Sequence, residues 1–380
     1  MSGASLSAAS ALVAEAACCA VTATWHGGPD AAIVVKIIEA AVARPEEFVH
    51  DAAADLTAVL TTHSPGLDLL PRVLGQWKRF SPNQMQGWAL SLGSLRNVEG
   101  ADAFEQCNTF LVELLTRSAE GKLSATVEVR RNACRALARL YASCKEGRHA
   151  STPDIVVVTT AALVESLEDY TTDQRGDVGS WVRAAALHAL APVLLMMPDS
   201  QMEACEVARG GMVKQMAERI DSVRFSATTS FIETRTLSPR SDEPLRQFLD
   251  DFAAEAKSGD PHHLREAEWI LPRIVPLLTR TTYRSLLFLG LLASVGSKDD
   301  ISVSRSQRKI RTISESTPPA SRRQSCSVQL AAGCRTYNVP VANSDPLAHD
   351  AARRDHAADI QEPVVEQNLY PICGAWSYAA

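Results

Sequence analysis

Between residues 169 and 183 the chain gathers three aspartates, two arginines, two glycines and a tryptophan, in the order DYTTDQRGDVGSWVR. Asp169, Asp173 and Asp177 fall four apart, but a calcium loop of the EF-hand type needs ligands at alternate positions and a glutamate at the twelfth. Ion pairing fits better: Arg175 or Arg183 can pair with Asp173 or Asp177 and lock a turn. Gly176 and Gly179 open backbone angles closed to other residues, and Asp177 can cap the helix entered at Trp181 and Val182. Arg175-Gly176-Asp177 is also an integrin-recognition tripeptide, but that reading requires an exposed loop on a secreted protein and, with no signal peptide read in the sequence, is set aside as coincidence. Asp173, Arg175, Asp177, Trp181 and Arg183 are therefore candidates for contact with a partner. The competing reading is a rigid turn between helices anchored by a buried Trp181, and the two are compatible.

Other chemistry is sparse. No GxGxxG follows a strand, and Gly121-Lys122 lacks the upstream glycine of a phosphate cradle. His262, His263 and Glu266 place two potential ligands on one helical face, half of a metal site at most; a solvated helix start is the plainer reading. Arg322 to Ser325 and Arg311 to Ser314 match the short pattern of basophilic kinase sites, a pattern common by chance. No catalytic residue, cofactor or metal is assigned.

The elements around these residues follow from composition and periodicity. Of 380 residues, 46% are hydrophobic but only 6% aromatic, with alanine and leucine dominating, a balance that favours packed helices over sheets. A net charge of -6 argues against a nucleic-acid footprint. The nine cysteines show neither a disulfide framework nor a CxxC pair and read as small buried hydrophobes in a reducing compartment. The apolar stretch 4–23 lacks a basic n-region and contains Glu15, so it reads as a helix rather than a signal peptide, and 286–295 is too short to span a bilayer. A soluble, cytoplasmic protein without membrane insertion is expected.

Apolar spacing of three and four predicts helices over 31–42, 51–60, 83–95, 128–141, 181–196, 212–220 and 245–256. The stretch 264–278 carries Pro272 and Pro276 and is expected to bend or break before a second helix begins near Thr282. Ala89, Ala133 and Ala186 superpose with offsets of 44 and 53 residues, the spacing of HEAT repeats with one loop insertion. The fold expected is an all-α, HEAT/armadillo-like helical-repeat solenoid over 1–297. A low-complexity tail, 298–380, is expected to be disordered.

The phrase formed by Glu168, Asp169, Tyr170, Thr171, Arg175, Gly176, Asp177, Val178, Gly179, Trp181, Val182 and Arg183 resembles the C-terminal region of the tubulin-folding cofactor D family. Residues 129–140 (VRRNACRALARL) and 286–296 (LLFLGLLASVG) support it in order and spacing, so that the resemblance is clearest over 67–296 and stops at Ser297. The family is longer at both ends, so the chain is expected to be a fragment, its tail either a natural truncation or a misjoined gene model.

The resemblance implies a non-enzymatic chaperone scaffold of the microtubule cytoskeleton. It would bind β-tubulin, work with cofactors C and E, promote GTP hydrolysis on tubulin and answer to an Arf-like small GTPase, in the cytoplasm or at microtubules and centrosomes. The alternative is a generic helical-repeat adaptor, which shares the fold but not the 169–183 phrase. An enzyme would need an acid/base or nucleophile group that the sequence does not display.

Overall fold

The computed structural model describes residues 11–28, 30–64, 66–96, 101–116, 125–145, 153–237 and 243–295, with two short strands further on. The chain divides into two units, Met1–Ser294 and Val295–Ala380. Helices in the first are α1 (Ala11–Thr24), α2 (Ala31–Val42), α3 (Glu47–His63), α4 (Leu69–Gln76), α5 (Pro82–Leu92), α6 (Ala101–Leu115) and α7 (Val127–Lys145). They continue with α8 (Pro153–Ser166), α9 (Gly179–Leu194), α10 (Met202–Met216), α11 (Asp221–Glu233), α12 (Glu243–Ser258), α13 (Ala267–Ile274) and α14 (Thr281–Val295).

Ala89, Ala133 and Ala186, aligned by the repeat, are all fully buried, on α5, α7 and α9. Their small side chains let neighbouring backbones approach, and Leu137, Leu140, Leu190 and Val193 fill the space between. Helices α3, α5, α7, α9 and α11 each pack on the next and form one row; α6, α8 and α10 form a second. Pairs α6 with α7, α8 with α9 and α10 with α11 join the rows. This is an all-α helical-repeat solenoid. Local sequence sets its boundaries: α5 starts on a capping box, Ser81 Oγ accepting from Gln84 N while Gln84 Oε1 accepts from Ser81 N, with Pro82 in the first turn.

An ionic ladder lies on the α3 and α7 surfaces. Arg131 and Arg135 meet Glu47, Arg135 and Arg139 share Asp51, and Arg139 also reaches Asp55. The two sets repeat every four residues, so each occupies one helical face.

Some elements differ from their sequence reading. The helix expected over 212–220 is α10, which begins ten residues earlier and ends at Met216. Helices α4, α6, α8 and α11 were not expected at all. The proline-bearing stretch does break: Pro272 lies inside α13, with 3-10 turns at Pro261–Arg265 and Val275–Thr279, and α14 starts at Thr281. The expected disordered tail lies outside the described residues, as do Arg311 to Ser314 and Arg322 to Gln324. The exceptions are strands β3 (Ser325–Val328) and β4 (Tyr337–Pro340), paired antiparallel with Cys326 opposite Val339. No helix among the described residues is long and apolar enough to cross a membrane.

Candidate functional site

The 169–183 phrase forms the corner joining α8 to α9. Two residue pairs, β1 (Thr172–Asp173) and β2 (Gly176–Asp177), make a minimal hairpin with Thr172 opposite Asp177. Gly176 has φ of 98°, a left-handed angle that a side chain would strain. At Gly179 the need is space: a Cβ there would sit 2.1 Å from the Asp169 carbonyl oxygen.

Each aspartate takes a different arginine. Asp169 is buried and accepts from Arg130 Nε at 3.0 Å and Nη2 at 2.8 Å, and from the Thr171 hydroxyl at 2.6 Å. Burial opposes its charge, but Thr171 and Arg130 outweigh that and hold the carboxyl below its usual range. Asp173 receives both Nε and Nη2 of Arg175, at 2.9 and 2.7 Å, which lowers its pKa. Asp177 receives Arg183 Nη1 at 3.2 Å and Nη2 at 2.9 Å and also accepts from Ser180 N at 3.1 Å, capping α9. With its carboxylate turned to Arg183, Asp177 does not present the integrin tripeptide.

Arg183 is fully buried. Besides Asp177 it donates to the Asp169 carbonyl at 2.7 Å, lies 3.6 Å from Glu218 Oε2 and stacks beneath the Tyr170 ring at 4.3 Å. It belongs to a series that the sequence shows only as a repeated Val-Arg pair. Val129-Arg130, Val182-Arg183 and Val223-Arg224 occupy the first turns of α7, α9 and α11, every valine and arginine buried. Each arginine binds a carbonyl of its own corner: Arg130 that of Ala125, Arg183 that of Asp169, Arg224 those of Glu218 and Arg219. Each also reaches the following corner: Arg130 to Asp169, Arg183 to Glu218, Arg224 to the Arg265 carbonyl.

Trp181 corrects one expectation. It is half-buried rather than a core anchor, its ring lying 4.9 Å from the Arg175 guanidinium and 5.9 Å from that of Arg131. Arg175 also meets Glu128 at 2.9 Å, and these two acids raise its pKa. Asp173, Arg175 and the nearby Tyr170 are exposed, Trp181 and Asp177 partly so, and Arg183 not at all. The accessible surface of the corner thus includes an arginine-stacked tryptophan and an exposed tyrosine.

Elsewhere, His262 N donates to Asp260 at 2.9 Å and His263 stacks on Trp269, with ring centroids 6.2 Å apart. Among the described residues no group of three His, Cys, Asp or Glu side chains is placed to hold a metal. Tyr283 OH donates to Glu206 Oε2 at 2.6 Å and Ser294 to the Ala217 carbonyl, fixing α14 against α10 and its C-terminal turn.

Residues 207–327 match the family model described as tubulin folding cofactor D C terminal. That stretch is similar to the C-terminal region of tubulin folding cofactor D. It begins inside α10, takes in α11 to α14 and continues beyond Ser297, where the resemblance read from residues ends. The 169–183 corner lies just ahead of the matched stretch, joined to it through Arg183 and Glu218, and through Gln215 Nε2, which donates to the Leu167 carbonyl at 2.8 Å. No solved structure matches the chain.

Proposed function

We propose that the chain is a tubulin-folding scaffold that binds β-tubulin and acts without catalysis of its own. On this reading it works in the cytoplasm and at microtubules with cofactors C and E and an Arf-like GTPase, and any GTP hydrolysis takes place on those partners. The cofactor D match over 207–327 carries the reading, and the stacked helical pairs suit it, because a solenoid offers a large partner many spread contacts. Within the first unit, the exposed face of the corner, Asp173, Arg175, Trp181 and Tyr170, is the proposed contact. Asp177 and Arg183 hold that face in place from inside.

The test is retention of tubulin and of an Arf-like GTPase on the immobilised full chain, with nucleotide hydrolysis followed in parallel. Retention without intrinsic hydrolysis is expected, with the double variant Asp173→Ala, Arg175→Ala weakened about tenfold, a typical loss for a central charged contact. A chain that retains neither protein refutes the scaffold reading; normal retention by a folded double variant refutes only the contact face.

A further inference from the structure

A second surface lies on the same row of helices, toward the opposite ends of α7, α9 and α11. An open groove of about 640 Å³ runs there, with Ala138, Ala142, Pro192 and Leu195 giving it an apolar lining. Arg135, Arg139 and Arg235 border it with the exposed His188, against one acid, Glu233. We propose that this groove binds an extended acidic peptide carrying small or branched apolar side chains.

Two features favour that occupant. The lining is cationic by three arginines to one glutamate. The acids now paired with those arginines, Glu47, Asp51, Asp55 and Asp250, do not line the groove and remain partly or largely exposed to water. Exposed pairs of this kind contribute little, so a ligand carboxylate can replace one at small cost. A nucleic acid fits less well, since no aromatic ring lines the groove to stack a base.

The experiment is fluorescence anisotropy with the full chain and a short fluorescein-labelled peptide of glutamate and leucine. A lysine and leucine peptide and a labelled single-stranded oligonucleotide serve as comparisons. The acidic peptide is expected to bind, with affinity falling as salt rises. Ala142→Trp, which fills the groove from an exposed position on α7, should weaken it about tenfold, and Arg235→Glu several-fold, while Arg235→Lys retains most of it. Circular dichroism checks that the helices persist, and Arg235→Glu decides the matter if Ala142→Trp does not fold. Absence of binding, equal binding of either comparison ligand, or binding unmoved by the folded variants overturns the proposal.

Discussion

Arg130 Nη2 lies 2.8 Å from Asp169 Oδ2, tying the first turn of α7 to the corner that enters α9. The two residues are 39 positions apart, and both are buried. The bond joins one repeat to the next, and the same relationship recurs at Arg183 with Glu218 and at Arg224 with the Arg265 carbonyl.

Arg183→Ala is expected to destabilise the first unit by about 3 kcal/mol, since it strands a carboxylate and a carbonyl that the guanidinium satisfies. Arg175→Ala, in an exposed cluster, should cost under about 1 kcal/mol. Urea unfolding of the two variants measures the difference. Equal losses would mean that Arg175 too is structural, and would remove it from the proposed contact face.

The two glycines of the corner should respond unequally. Gly179→Ala drives a methyl into the Asp169 carbonyl and is expected to cost about 3 kcal/mol or more. Gly176→Ala meets nothing within 4 Å and bears only the left-handed backbone, about 1–2 kcal/mol. Thermal melts that rank them the other way would contradict this geometry.

Trp181→Ala should cost about 1–2 kcal/mol, because the half-buried ring loses stacking on two arginines rather than a place in the core. A larger loss, in the range of a fully buried aromatic, would restore the anchor reading drawn from the sequence.

Acid should weaken the fold in two stages. Burial, opposed in part by the Arg44 carbonyl, lowers the pKa of His50, so its contribution is complete above the ordinary histidine value near 6.5 and fades as pH falls below it. The carboxyl of Asp169 is also lowered in the fold, so its contribution is complete above about pH 4 and is lost below. Asp169→Asn should flatten the lower stage and leave the upper one. Stability measured from pH 8 to 3 checks this; an unchanged lower limb in the variant would assign it to other carboxylates.

Thiol labelling of the native chain should separate the cysteines. Cys19 is exposed, whereas burial pushes the Cys107 and Cys134 thiols up to about 12 and those of Cys144 and Cys205 to about 11. Peptide mapping after brief labelling at pH 8 should find Cys19 modified and these four intact. Equal labelling would show that the stack opens readily.

Much of the helical row was legible because its chemistry is repetitive: alanines at matched positions and apolar spacing placed α2, α5, α7, α9 and α12 closely. The start of α10 was not, because Gly210 and Gly211 resemble a break. They sit inside the helix, where a Cβ would press on Leu286 and Leu167. Helix α8 hides behind Thr159 and Thr160, whose hydroxyls bond back to the carbonyls of Ile155 and Val156 and so lie buried. At the corner, the pairing of Arg183 with Asp177 was among the alternatives read from spacing. Its burial, and the partnership of Arg130 with Asp169, depend on contacts between repeats that no local pattern records. The Val-Arg pair was the one available signal.

The three arginine links all lie at the N-terminal ends of α7, α9 and α11, whereas the groove lies toward their C-terminal ends. The row is therefore bound along one edge like the pages of a book. Twisting that parts the helices must break buried charge at the bound edge, whereas at the free one it opens apolar packing and rearranges solvated pairs. Breathing of the stack is accordingly expected to pivot about the arginine edge, with the width of the groove changing most.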